Sequence, residues 1–148
     1  MPALHGILET VLYVDDFHRA RAFYEGLLGL SPVYSDQRMC AYDVGGRSML
    51  LVFRRGSSLA TVTMPGGTIP PHDGSGPHHV AFSIPTEELP QWETRLADFG
   101  VAIEGRTKWP RGGTSLYFRD PDDHLLELAT PGLWPGHCLR VSSRTEYP

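Results

Sequence analysis

The chain of 148 residues has no apolar run near the ~20 residues that a membrane-spanning helix requires, so nothing in it is expected to cross a bilayer. Positive charge is sparse and scattered: no Lys/Arg run exceeds two residues and the formal net charge is -4. A polyanion would find no basic footprint to bind, which sets nucleic acid aside as a partner. Only two cysteines occur, Cys40 and Cys138, and their spacing fits neither a CxxC motif nor a metal-ligand pattern. Neither is placed as a nucleophile. The opening MPALHGILETVL lacks a basic segment followed by an unbroken apolar stretch, so no secretory leader is expected. These absences lead to the expectation of a reduced, cytoplasmic protein.

What the chain does have is the composition of a globular domain rich in turns. Hydrophobic residues make up 41% and charged residues 20%, with 16 Gly and 13 Pro. That much Gly and Pro points to many short strands, and the length suits a single domain, residues 1–148, with one core.

Read along its length, the chain repeats itself. ILETVLYV at 7–14 is apolar and β-branched and runs into Asp15-Asp16, which can cap a following helix. In that helix Ala20, Phe23, Tyr24, Leu27 and Leu28 share one face, and Gly29 and Pro32 stop it. Three strands are predicted near 32–36, 39–44 and 47–53, the last two joined by a two-residue Gly45-Gly46 connection. Residues 54–77 carry GSS, PGG, PP and DGSG and read as a linker. The pattern then restarts with HHVAFSI, a helix marked by Leu89, Trp92, Leu96 and Phe99, and the strands VAIEGR, TSLYFRD and HLLELAT. Pro90 confines the regular part of that helix to the residues after its first turn. Superposed, Glu9 falls on His79 at an offset of 70, and Leu51 falls on Glu127 at an offset of 76, with six extra residues in the loop TKWPRGG. The expectation is an α+β fold of two βαβββ modules, about 7–53 and 78–130, with a tail at 131–148.

VDD before FHRARAFYEGLLGL, HHVAF opening the second half and YFRDPDDHLLEL closing it resemble the vicinal oxygen chelate superfamily of glyoxalases, bleomycin-resistance proteins, fosfomycin-resistance enzymes and extradiol dioxygenases. The resemblance covers about residues 7–132. Asp123 and His124 stand where the family usually has Gly and Asn. It implies that the modules form an eight-stranded cleft and that metal ligands come from the positions of Glu9, Leu51, His79 and Glu127. Leu51 cannot bind a metal, which departs from the four-ligand site of typical glyoxalases.

The residues carry chemistry of their own. Glu9 lies on an apolar strand, where a buried carboxylate must be paired, protonated or bound to a cation, or else sit at an edge that reaches solvent. His79 alone could be a hydrogen-bonded core histidine, and its neighbour His78 should point to the opposite face. Glu127 in LLELA shares a face with Leu125 and Ala129. Two carboxylates and an imidazole repel or compete unless a cation joins them, so Glu9, His79 and Glu127 are read as ligands of Mn²⁺, Fe²⁺, Ni²⁺, Zn²⁺ or Mg²⁺, with open positions for substrate. Tyr117 should lie across a hairpin from Glu127 and is the candidate proton carrier, or else a structural tyrosine. Tyr13, Tyr42, Leu51, Phe53 and Ser115 are assigned to the substrate cleft by strand parity. Trp109 and Arg111, in the inserted loop, are read as a lid or substrate contacts. Trp92 is read as core, and His5, His18, His72, His124 and His137 as surface or turn residues.

The leading functional expectation is a metal-dependent enzyme acting on a small organic substrate with vicinal oxygens, through lyase, isomerase or dioxygenase chemistry, working as a homodimer. The rival expectation is a metal-free protein that sequesters a small molecule, as bleomycin-resistance proteins do, and a third is a regulatory family member.

Overall fold

The computed structural model describes residues 1–135. Gly136, His137, Cys138 and the rest of the expected tail lie outside the described residues. The described residues divide into two compact units, one made of residues 1–78 with 120–124, the other of 79–119 with 125–135.

In the first unit, β1 (Glu9–Val14), α1 (Phe17–Gly26), β2 (Pro32–Ser35), β3 (Met39–Val44) and β4 (Ser48–Arg54) build a sheet in the order β1-β4-β3-β2. Helix α1 starts where Asp16 accepts a hydrogen bond from the Arg19 N–H at 2.9 Å, satisfying one of the donors that every helix start leaves free. Leu12, Val14, Cys40, Tyr42, Leu50 and Val52 are sealed from solvent together with Ala20 and Tyr24 of the helix and its cap residue Leu27.

One expectation fails at the β3–β4 turn. The pairing Val44↔Ser48 leaves Gly45, Gly46 and Arg47 in the connection, so the loop has three residues instead of two. A one-residue change in register turns every side chain to the other face. Tyr42 therefore sits opposite Leu50, and Ala41 sits opposite Leu51. Tyr42 is a core residue, not a cleft residue: its ring stacks on Tyr24 at 6.2 Å and its hydroxyl donates to Glu25 at 3.1 Å.

The stretch read as a linker contains a hairpin, β5 (Val62–Met64) and β6 (Gly67–Ile69), paired Val62↔Ile69 and Met64↔Gly67. The Pro65-Gly66 breakers are its turn, and the β-branched residues on either side pair. The chain then returns to β1, where Gly74 lies so close to the Tyr13 ring that an added Cβ would stand 2.6 Å from it.

The second unit contains β7 (His79–Ser83), a single 3₁₀ turn (Thr86–Glu88), α2 (Leu89–Asp98), β8 (Gly105–Lys108), β9 (Thr114–Arg119) and β10 (Leu125–Ala129), in the sheet order β7-β10-β9-β8. Pro90 occupies the first turn of α2, where its missing N–H costs nothing. Leu96, Leu116, Phe118, Leu126 and Leu128 form the buried set, whereas Phe99 is 51% exposed beneath the Arg95 guanidinium. The expected apolar face of α2 thus stops one turn early.

The two sheets share one connectivity and one register. Glu9↔Met49 and Val11↔Leu51 on β1 and β4 correspond to His79↔Leu125 and Ala81↔Glu127 on β7 and β10. Among the described residues no helix is long and apolar enough to cross a membrane.

Candidate functional site

Parallel neighbours β7 and β10 bring His79 and Glu127 onto one face of the second unit's sheet. His79 Nε2 lies 3.2 Å from Glu127 Oε2. The other ring nitrogen, Nδ1, is 2.9 Å from the Leu125 carbonyl. A carbonyl can only accept, so Nδ1 carries a proton, and the ring is turned so that Nε2 faces the carboxylate. Two lone pairs at that distance repel unless a proton or a cation lies between them. Two ligands each about 2.1 Å from one ion, at 90–110° to each other, would be about 3.0–3.4 Å apart, which is the separation found.

Glu127 is nearly sealed at 4% exposure, and its second oxygen, Oε1, is buried with no hydrogen-bond partner. A buried carboxylate with an orphaned oxygen is costly as an isolated charge. The His79 side chain is 49% exposed, so the pair is open on the imidazole side. Donor chemistry, spacing and the orphaned oxygen all fit a borderline or hard divalent cation. Glu9, the expected third ligand, is exposed at the start of β1 in the first unit. Among the described residues no three His, Cys, Asp or Glu side chains are grouped to hold an ion.

Tyr117 stands directly opposite Glu127 on β9, with its ring 6.4 Å from that of His79 and half-buried. Ser115, two positions earlier and on the same face, is fully buried and accepts the Trp109 indole N–H at 2.8 Å. The Trp109 loop is closed by backbone bonds from Trp109 to Gly113 at 2.8 Å and from Gly112 to Trp109 at 2.9 Å. Trp109 is therefore tied to the strand instead of hanging free, while Arg111 is exposed.

In the first unit Leu51 occupies the register position that Glu127 holds in the second. Tyr13 and Phe53 face each other at 6.3 Å. Tyr13 is buried, and its hydroxyl lies 2.6 Å from His72 Nδ1. Burial, and then the nearby Asp73 carboxylate, raise its pKa above the usual tyrosine value.

Two histidines read as surface residues are not. His72 is half-buried against Tyr13 and meets the Phe53 ring edge-on at 4.8 Å. His124 has no solvent exposure: Nδ1 accepts the His78 N–H at 2.8 Å, Nε2 donates to the Tyr13 carbonyl at 2.8 Å, and the ring stacks on His78 at 4.7 Å. Turn polarity hid this role; the signal that could have shown it is the aspartate four residues earlier, since Asp120 Oδ1 receives the His124 N–H at 2.8 Å. His78 is thus held by a stacked imidazole, and its pKa is lowered by burial and then by His124 and Arg55.

The model of the Glyoxalase/Bleomycin resistance protein/Dioxygenase superfamily matches residues 6–128. The chain is 31% identical over 126 residues to metallothiol transferase FosB of Bacillus licheniformis, covering 84% of this chain and 75% of that protein. It is 25% identical over 126 residues to fosfomycin resistance protein FosX of Listeria innocua, covering 84% and 89%. The crystal structure of lactoylglutathione lyase from Agrobacterium tumefaciens superposes with a TM-score of 0.81 at 32% identity, covering 90% of this chain and 99% of that one.

Proposed function

Because the chain belongs to the glyoxalase/bleomycin resistance protein/dioxygenase superfamily, we propose that it is a divalent-metal-dependent enzyme acting on a small organic substrate with two neighbouring oxygens. The observation that carries this reading is His79 Nε2 set 3.2 Å from Glu127 Oε2 with Nδ1 fixed by the Leu125 carbonyl. His79 and Glu127 hold the ion, and Glu9 completes the set from a second copy of the chain, which makes the working form a homodimer. The exposure of Glu9 and the lack of a third donor grouped with the pair among the described residues support a ligand from a partner copy. Mn²⁺, Fe²⁺, Ni²⁺, Zn²⁺ and Mg²⁺ all suit one imidazole and two carboxylates. When bound, the ion supplies Lewis acidity to a substrate oxygen.

The chain's own residues do the rest. The Leu125 carbonyl holds the His79 ring in one tautomer and orientation, as outer-shell acceptors do for ligating histidines. Tyr117, across from Glu127, passes a proton to or from the substrate. Ser115 and Trp109, tied to each other on the same strand face, form the neighbouring wall. The names of the relatives, a metallothiol transferase, a fosfomycin resistance protein and a lactoylglutathione lyase, favour group transfer or elimination over oxygenation.

Elemental analysis of protein purified without chelator tests the reading, with about one divalent ion per chain expected. Metal-free protein that still binds a small molecule would favour a sequestering protein instead. Sedimentation at micromolar concentration should show a dimer; a species of 16.4 kDa would remove the shared-ligand arrangement.

A further inference from the structure

We propose that His124 is a positioning residue: by accepting the His78 N–H, its imidazole fixes the main chain immediately before His79 and so the direction in which the His79 ring faces Glu127. The inference rests on the reading that His79 and Glu127 hold an ion, and it adds a histidine that acts on that site only through His79.

His79 needs such a support. Its side chain is 49% exposed, and an exposed side chain samples several rotamers unless a bond selects one. The selecting bond runs from Nδ1 to the Leu125 carbonyl at 2.9 Å. That carbonyl belongs to the first of the five pairs between β7 and β10, Leu125↔His79, and the end of a ladder is where opening costs least. The ring's direction therefore depends on how firmly the chain is anchored just ahead of this pair.

His124 supplies the anchor. Its Nδ1 accepts the His78 N–H at 2.8 Å, and its Nε2 lies 2.8 Å from the Tyr13 carbonyl. A main-chain N–H can only donate and a carbonyl can only accept, so the ring carries its proton on Nε2 and presents a bare nitrogen to His78. The residue is fully buried, and its own main chain is pinned. Asp120 Oδ1 takes the His124 N–H at 2.8 Å and the Asp122 N–H at 3.0 Å, while Asp120 Oδ2 takes the Tyr24 hydroxyl at 2.7 Å. Consecutive residues 124 and 125 thus hold consecutive residues 78 and 79, one through a side chain and the other through a carbonyl. The first half of the repeat has Ser48 at the place of His124 and secures the matching point by main chain, with the Met49 N–H donating to the Leu8 carbonyl at 2.8 Å.

Two substitutions separate this role from packing. Asn Oδ1 is bonded to Cγ as His Nδ1 is, and Gln Nε2 reaches one atom further, to the place of His Nε2. His124→Asn therefore keeps the acceptor for His78, whereas His124→Gln keeps only the donor to Tyr13. Mn²⁺ titrated by calorimetry into chelator-treated protein should bind His124→Gln about 10- to 100-fold more weakly than wild type and His124→Asn with near wild-type affinity. In the metal-free proteins at mildly alkaline pH, His79 Nδ1 should keep the ¹⁵N shift of a nitrogen with a fixed proton in wild type and His124→Asn. In His124→Gln it should move toward the average of two exchanging tautomers. Equal effects of the two substitutions, or a His79 signal indifferent to both, would reduce His124 to a packing residue and overturn the proposal. Should His124→Gln fail to fold, the wild-type protein decides: a ¹⁵N–¹⁵N coupling across the His78–His124 hydrogen bond is expected, and its absence overturns the anchor. Wild-type protein that takes up no divalent ion would sink the metal reading instead, and the ring signals would still judge His124.

Discussion

The two sheets have the same strand order and the same pairing register, yet they differ in what they place at matching positions. β7 and β10 carry an imidazole and a carboxylate, whereas β1 and β4 carry Glu9 and Leu51. On the first unit's sheet the neighbouring positions hold Tyr13 and Phe53, roofed by a hairpin and by the Gly74 segment. One backbone frame thus supports two kinds of surface, one with paired donors and one apolar. A parallel strand pair fixes which side chains meet but leaves their chemistry open, so a repeat can divide the work between its halves.

The strongest way to break this comparison is to remove the donor pair. His79→Ala should abolish divalent-metal binding measured by calorimetry or elemental analysis. His78→Ala, which removes a ring stacked on His124 and set edge-on to Tyr13, should keep full metal content and lose about 1 kcal/mol of stability. Equal loss of metal in both variants would place the site elsewhere.

Next in size is the proton carrier. Tyr117→Phe should lower turnover by about 10² to 10⁴ with metal content and fold unchanged. A loss of stability with little change in rate would mark Tyr117 as structural instead.

A smaller effect belongs to the first unit's buried tyrosine. Tyr24 donates to Asp120 at 2.7 Å, and burial, followed by the Asp120 charge, holds its pKa well above 10.0. The unfolded phenol ionises first as pH rises, so the Tyr24 contribution is fully present below about pH 10 and is lost above it. Tyr24→Phe should cost about 1–3 kcal/mol at neutral pH by leaving Asp120 short of a donor. It should also make the alkaline decline in urea-melt stability shallower. An unchanged alkaline slope would contradict the raised pKa.

The smallest contrast lies between the helix starts. α1 is capped by the Asp16 side chain, whereas α2 comes after a 3₁₀ turn and its cap residue Glu88 makes no side-chain bond. Asp16→Ala should cost about 1 kcal/mol, and Glu88→Ala close to nothing. Thermal melts that rank them the other way would show that the caps are not what distinguishes the two starts.

Much of this architecture is set by local periodicity, and that part was legible in the sequence. Alternation in ILETVLYV and LLELA, the Asp16 cap, Pro90 and the repeat offset depend on neighbours a few residues apart, so the chain alone pointed to most of the strands, both helices and the matching of Glu9 with His79 and Leu51 with Glu127, whereas the strand expected at VAIEGR lies instead at Gly105–Lys108. The same local rules set Tyr117 opposite Glu127, because a hairpin register is fixed by its turn. Where the turn length was not fixed by its own residues, the face was lost: one extra loop residue, Arg47, sent Tyr42 to the core. Breaker-rich residues 54–77 concealed a hairpin because its strands are three residues each, too short to display an alternation. His72 and His124 looked like turn residues because their partners, the Tyr13 hydroxyl and the Tyr13 carbonyl, are 59 and 111 residues away. Contacts over such separations depend on how the chain closes. Only the tertiary structure could decide which imidazoles are enclosed among other rings and which one faces a buried carboxylate.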